Sequence, residues 1–388
     1  MRHNLRHLRV FVAVAETGSV SRAGELRHVS QPAVTQAIAR VERIAGQPLF
    51  ERTTQGLFLN KAGEVLLTRV RRALEFLDPA LVDISPRLQV TATTAQLQSL
   101  IAMREAENFT LAARRLDLAQ ATVHRAITQL EQEARRPLFE RTAYGMIGTK
   151  AAQNLALAAR LAFAELAQAE ADLGEIRATE AGRIVIGAMP LSRAYALPQA
   201  IVRFRAAGRR LPIDVVEGTY DDLLAGLRRG EIDFLIGALR EPAPIGDVDQ
   251  RVLFHDTIVL VAGADHPLTT QQTISTADLA RYPWVVAPKG APIRGHFEAI
   301  FTQEGLAVPG QLVESRSLIL MRELLNASDH LGCISRLQAE AEISHGLMNP
   351  LAYSLVDTER PIGLTLRKGW LPTAAQAEFL DMLGTGTD

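Results

Sequence analysis

Apolar residues at Leu8, Phe11, Val12 and Ala15 recur with helical spacing, and Gly18 follows as a residue that tolerates the left-handed backbone ending a helix. Ser21 to Arg27 reads as a short second helix. Ser30-Gln31-Pro32 opens a third, Ser suiting the cap and Pro the first turn. Val34, Ile38 and Val41 turn one stripe of that helix inward and leave Thr35, Gln36 and Arg40 outside. Pro48 to Gly63, with Gly56 at a turn, reads as a two-stranded wing. A long helix follows from Ala62 to about Asp83, stopped by Ser85-Pro86.

Displaced by 89 residues, the same pattern returns. Leu8–Leu77 aligns without gaps on Leu97–Leu166 with 23 identities in 70 positions, the strongest block being Pro48–Thr53 against Pro137–Thr142. A tandem duplication is the economical account. In the second copy Ala112-Ala113 and Leu116 mark the short helix and Gln120–Glu131 the third. There Val123, Ile127 and Leu130 face inward, with His124, Arg125 and Gln129 outward. An Ala/Leu-rich helix then runs from Ala151 to about Arg177, its stripe of Leu155, Ala158, Ala159, Ala162, Leu166, Ala169 and Leu173 small enough for close contact with another helix. That contact is either a subunit pairing or a packing within the chain. Ser85 to Thr94, fully extended, spans about 30 Å, enough for the two long helices to fold back beside each other.

After Ala181-Gly182 strands alternate with helices, the pattern of an α/β fold. Arg183–Gly187 leads to Pro190-Leu191-Ser192-Arg193, and Pro212–Glu217 to Thr219 and a helix from Tyr220 to Arg229. Ile232–Gly237 and Thr257–Ala262 are further strands. Trp284-Val285-Val286 precedes the loop Pro288–Arg294, and Gln311–Val313 precedes Ser315-Arg316-Ser317 and a helix from Leu318 to Asn326. In open α/β folds ligands lie at the carboxyl ends of strands, where helix N-termini offer free N–H groups. The candidate effector-binding residues are therefore Ser192, Arg193, Thr219, Arg294, Ser315 and Ser317. With Arg316, the arginines among them favour an anionic ligand, although each fits a surface ion pair as well.

The net charge of −1 hides an asymmetry. Residues 1–90 hold 13 Lys/Arg against 8 Asp/Glu, residues 91–178 hold 10 of each, and residues 179–388 hold 19 against 25, or +5, zero and −6. A positive N-terminal module on an acidic body suits a protein that docks phosphate with one end. The single cysteine, Cys333, allows no internal disulfide and reads as a small core residue. No apolar stretch reaches membrane-spanning length and no export signal is read, so a cytoplasmic location without a membrane partner is expected. The nine histidines show no metal-ligand spacing, and no nucleophile elbow or phosphate loop appears. Neither an enzyme nor a metal or cofactor site is expected, and a stand-alone solute-binding protein fits poorly with two helix-turn-helix patterns.

A helix of this kind fits the DNA major groove and reads base edges with its N-terminal polar residues, while a basic wing grips phosphate. Phe11–Glu16, Ser21-Arg22-Ala23-Gly24, Val29–Val34 and Pro48–Arg52 together resemble the winged helix-turn-helix of LysR-type transcriptional regulators. The resemblance implies that Ser30, Gln31, Pro32, Thr35, Gln36, Arg40 and Arg52 meet DNA, with His124, Arg125 and Arg141 as candidates in the second copy. One such domain per chain is the family's pattern, so the second copy is a departure. It also lacks the Ser-Gln-Pro start, having Ala119-Gln120-Ala121, and has Ala152 where the first copy has Gly63.

Beyond the long helix the chain resembles the family's effector domain, two-lobed like periplasmic solute-binding proteins. Met189–Arg193 and Phe234–Arg240 are similar to the subgroup controlling sugar and aromatic-acid uptake. The fold implied is multidomain: two all-α winged helix-turn-helix domains at 1–61 and 91–150, with linker segments at 62–90 and 151–179. A two-lobed α/β domain fills 180–388, lobe I being 180–262 and 350–388 and lobe II 263–349. The function implied is a sequence-specific regulator modulated by a small anionic metabolite. The alternative is a metabolite-binding co-regulator in which the second copy has lost DNA binding. Double-stranded DNA, an effector, RNA polymerase and a second copy of the chain are the partners expected of this class.

Overall fold

The computed structural model describes residues 3–54, 56–143, 145–243 and 245–384. The chain divides into two compact units, Met1–Arg183 and Ile184–Asp388.

In the first unit α1 (Leu5–Thr17), α2 (Val20–Arg27) and α3 (Gln31–Ala45) precede the hairpin β1 (Phe50–Thr53) and β2 (Gly56–Leu59) and the long α4 (Lys61–Ile84). After α5 (Leu88–Thr91), the order returns as α6 (Thr94–Ala106), α7 (Phe109–Leu116), α8 (Gln120–Ala134), β3 (Phe139–Thr142), β4 (Gly145–Gly148) and α9 (Lys150–Ile176). Small polar residues start these helices by accepting orphan backbone N–H groups: Asn4, Ser19 and Asn60 in the first segment, Thr93, Asn108 and Thr149 in the second. Ser30 precedes α3 without a side-chain capping bond, so its hydroxyl is not used to start that helix.

The tertiary hydrogen bonds recur at the same offset as the sequence. Glu42 accepts from Leu49 N–H at 2.9 Å, and Glu131 from Leu138 N–H at 2.8 Å. The hairpin is tied to the end of the first helix by Leu57 N–H to Gly18 O, and by Met146 N–H to Glu107 O, each at 3.0 Å. The ion pair Arg71–Glu16 has its counterpart in Arg160–Glu105. One departure has a packing explanation. A Cβ on Gly63 would lie 2.2 Å from Leu49 O and 2.7 Å from the Leu59 side chain. The second segment carries Ala152 there, and Gly148 stands opposite in place of Leu59, so bulk has moved from one partner to the other.

Helices α4 and α9 pack along each other, and one continuous apolar core runs through both segments. Leu66, Val70, Ala73, Leu77 and Ile84 are buried on α4, and Leu155, Ala159, Ala162, Leu166 and Leu173, each 89 positions later, on α9. The pairing is antiparallel: Arg69 bonds Asp172 and Gln168, and Arg72, one turn further on, bonds Glu165, one turn back. The connection between the segments is compact and uses less than its full reach. Residues 88–91 form a helical turn with Leu88 fully buried, because that apolar side chain reaches the shared core.

The second unit holds two mixed sheets. The first, in order β6-β5-β7-β14-β8, contains β5 (Ile184–Ala188), β6 (Ile213–Val216), β7 (Phe234–Ala238), β8 (Val248–Asp256) and β14 (Arg360–Arg367). The second, in order β11-β10-β12-β9-β13, contains β9 (Ile258–Ala262), β10 (Trp284–Val286), β11 (Leu312–Glu314), β12 (Leu331–Ser335) and β13 (Asn349–Pro350). Parallel pairs β5–β6, β5–β7, β10–β11 and β10–β12 are joined through helices; the remaining pairs are antiparallel. The helices are α10 (Pro190–Ala194), α11 (Ala196–Ala206), α12 (Tyr220–Arg228), α13 (Thr276–Leu279), α14 (Pro292–Thr302), α15 (Leu318–Ala327), α16 (Arg336–Ser344) and α17 (Ala374–Gly384).

The lobe boundaries differ from those read in the sequence. Strand Ile258–Ala262 pairs with β12 in the second sheet, so the chain crosses at Thr257 and not near Ala262. Pro350 pairs with Val261, and Leu351 lies in the second lobe's core, so the return comes after Leu351 and before Arg360. Among the described residues no helix is long and apolar enough to cross a membrane.

Candidate DNA-reading surface and effector cavity

On α3, Val34, Ala37 and Val41 pack inward while Gln31, Pro32, Thr35, Gln36 and Arg40 stand exposed, with Ser30 exposed just before them. This is the division that the 3.6-residue repeat dictates. Gln31 is braced, its Nε2 donating to Ser21 Oγ on α2 at 2.8 Å. Arg52 is exposed on β1, beside a shallow groove that also gathers Ser19, Arg22 and Thr53. Arg22 belongs to the Ser21–Gly24 motif of α2 and is exposed. Its position at the start of α2, facing the wing, was visible only in the fold.

On α8, Arg125 and His124 are exposed, as is Arg141 on the hairpin. His124 is supported from below, its ring 5.0 Å from that of Phe109. Thr110 Oγ1 donates to Gln120 Oε1 at 3.4 Å, repeating the Ser21–Gln31 brace.

In the second unit a cavity of about 110 Å³ lies between the lobes, lined mostly by apolar side chains with a few polar groups converging on it. Met189, Pro190 and Ala238 line it from the ends of β5 and β7, and Ala287 and Pro292 from the end of β10 and the start of α14. Its polar groups are Ser315, Arg316, Ser317, Gln338 and Arg360. Ser317 caps α15 by accepting from Leu320 N–H at 3.2 Å, and Ser315 Oγ accepts from Ser317 N–H at 3.0 Å. Each hydroxyl therefore retains a proton to donate.

Four of the six effector candidates do not line this cavity. Ser192 is fully buried, and its hydroxyl reaches Met189 O at 2.7 Å and Ile236 O at 3.0 Å, fastening α10 to β7. Thr219 caps α12, accepting from Asp222 N–H. Arg294 is buried between Glu298 at 2.7 Å and Glu314 at 2.8 Å. Arg193 pairs with Glu217 and lies in a neighbouring groove at the mouth, with Arg316 and Gln338. The strand-end rule finds the right loops, but these side chains are held by their own backbone and carboxylates. Only Ser315 and Ser317 remain, joined by Gln338 and Arg360, which no local motif marks.

Arg360 belongs to a buried ion pair at the crossing between lobes. Its Nη2 and Nε lie 2.8 and 3.2 Å from Asp256 Oδ2, and Asp256 Oδ1 accepts from Leu337 N–H at the start of α16. Cys333 also lines the cavity, and burial pushes its thiol up to about 12. The native thiol should therefore react with iodoacetamide at pH 8 about a thousandfold more slowly than the same thiol in urea. Comparable rates in the two states would refute this. Among the described residues no group of His, Cys, Asp and Glu is arranged to hold a metal ion.

A polar-faced helix beside a wing, followed by a two-lobed domain with a cavity between its lobes, is the arrangement of a DNA-binding regulator with a small-molecule-binding domain. The model for the LysR substrate binding domain matches residues 177–387, and that for bacterial regulatory helix-turn-helix proteins of the lysR family matches residues 5–64 and 94–153. The HTH-type transcriptional regulator GalR of Pseudomonas putida is 36% identical over 381 residues, covering 97% of this chain and 96% of its own. This chain belongs to the LysR family; it is a DNA-binding transcriptional regulator with a substrate-binding domain, in a family of regulators and not of enzymes. Among solved structures, a full-length OxyR variant from Pseudomonas aeruginosa has a TM-score of 0.54 at 22% identity, covering 76% of this chain and 98% of its own. Full-length CbnR complexed with target DNA also has a TM-score of 0.54, at 18% identity, covering 75% of this chain and 98% of its own.

Proposed function

We propose that this regulator reads DNA with two winged helix-turn-helix units of one tandem duplication and is switched by a small anionic metabolite. The observation that carries the first part is the constant offset of 89, which relates side-chain braces, hairpin ties and ion pairs as well as residues. A solved chain aligned over 98% of its length leaves about a quarter of this chain unmatched, close to the length of one copy. Ser30, Gln31, Pro32, Thr35, Gln36 and Arg40 read bases or their flanks through α3, and Arg52 holds phosphate. His124, Arg125 and Arg141 do the corresponding work in the second unit. The co-regulator alternative is disfavoured by the exposure of Arg125 and Arg141.

The effector reading rests on Arg316, Gln338, Ser315 and Ser317 converging on one cavity as donors. Donors without a free carboxylate beside them suit a carboxylate or phosphate. The subgroup resemblance points to sugars or aromatic acids. The regulator works in the cytoplasm, as a homo-oligomer that engages RNA polymerase when bound to its operator.

The test is salt-dependent DNA binding. Arg52→Ala should weaken binding to every sequence and reduce the slope of log affinity against log salt by about one. Arg141→Ala should do the same to a smaller degree, since the first segment carries the surplus positive charge. Larger damage from Arg141→Ala would reverse the assignment.

A further inference from the structure

We propose that a single chain reads one asymmetric DNA site made of two unlike half-sites, its two readers being locked to each other by the buried charges between α4 and α9. The inference rests on the reading of both segments as DNA readers. Arg69 is 2% exposed, and its guanidinium meets Asp172 at 2.8 Å, Gln168 at 2.8 Å and Glu165 at 3.1 Å. Arg72 meets the other oxygen of Glu165 at 2.9 Å. Two cations on α4 thus face two carboxylates on α9, and the set is neutral.

The offset of 89 shows what other pairings would bury. Position 165 corresponds to Phe76, 168 to Pro79, and 158 and 161 on α9 to Arg69 and Arg72 on α4. If α4 paired with α4 of a second chain, four arginine side chains would share the seam with only the two Asp83 carboxylates. If α9 paired with α9, two Glu165 and two Asp172 would face Ala158 and Leu161 with no cation. Uncompensated buried charge is strongly unfavourable, so only the pairing of unlike helices is tolerated. The outer contacts agree. Arg87 pairs with Glu133 at 2.6 Å, and Arg177 donates to Ala45 O, so each segment's trailing end docks beside the other segment's third helix.

The readers so joined are not equivalent. Where α3 exposes Thr35, Gln36 and Arg40, α8 exposes His124, Arg125 and Gln129. Gln pairs in bidentate fashion with adenine and Arg with guanine, so corresponding positions ask for different bases. An inverted repeat would satisfy one reader at the expense of the other.

Selection from random double-stranded DNA with the full chain tests this, alongside Gln36→Ala and Arg125→Ala. The expected product is a motif with two unlike halves, present once or in tandem. Gln36→Ala should relax one half by about tenfold to a hundredfold and leave the other intact, and Arg125→Ala should do the converse. A perfect inverted repeat in which Gln36→Ala relaxes both halves would overturn the proposal, as would a single motif that Arg125→Ala does not alter. No enrichment at all would sink the DNA-reading assignment beneath it. A chain carrying Arg87→Cys and Glu133→Cys, treated with a short bis-maleimide, should keep its single-chain mass on a denaturing gel. A product of twice that mass would mean that the readers pair between chains.

Discussion

Asp256→Ala should lower the stability of the C-terminal unit by about 3–5 kcal/mol and abolish effector binding. Asp256 is 2% exposed at the end of β8, one residue before the chain crosses between lobes. Its carboxylate bonds the Arg360 guanidinium from β14 and the Leu337 N–H from α16, so three elements meet on one side chain. Removing it leaves a buried guanidinium without its counter-charge and a helix-start amide without its acceptor. Both losses are penalties of desolvation and exceed the modest net worth of an intact hydrogen bond. Arg360 lines the cavity, so its release also changes the wall that a ligand touches. Urea unfolding and calorimetry with a panel of small carboxylates and sugar phosphates would check both effects. A loss below about 1 kcal/mol, the range of exposed pairs, would mean that the ion pair is solvated and does not fasten β8 to β14 where the chain crosses between lobes.

The residues that the sequence made legible are those whose placement is decided locally. The outward set on α3 and α8 follows from helical periodicity, since inward neighbours such as Val34 and Val123 leave no other face for Thr35 or His124. The repeat also made the shared stripe of α4 and α9 readable. What escaped depends on direction or on distant partners. A run such as Ile258–Ala262 is apolar on both faces, which says that it is a buried strand but not which sheet holds it. Ser192 and Thr219 sit at strand ends as expected, yet a short hydroxyl there is claimed by the nearest carbonyl or helix start. Arg360 and Gln338 reach the cavity from elements more than 90 residues after its first wall, beyond any spacing rule.

Arg69→Ala should cost the N-terminal unit about 3–5 kcal/mol, because it strands Asp172 in the seam without its cation and leaves Glu165 to Arg72 alone. The network as a whole contributes far less than that. Burial already raises the Asp172 carboxyl above its ordinary range, with Arg69 pulling it back, so ionised Asp172 is a net cost to the fold. Replacing the charges together, as Arg69→Met, Glu165→Leu and Asp172→Asn, should therefore recover most of the stability, to within about 1–2 kcal/mol of the native chain. Arg72 then loses Glu165 but is only half-buried and can reach water. Stability and partner choice thus come apart: the apolar triple variant should unfold near the native urea midpoint while its like helices, α4 with α4 and α9 with α9, become able to pair between chains at the expense of the α4–α9 pairing. Urea midpoints followed by helical circular dichroism give the first quantity, and the Arg87/Glu133 cross-link in the triple background gives the second. An Arg69→Ala midpoint indistinguishable from native would show that the seam admits water, and the charges would then decide neither stability nor pairing.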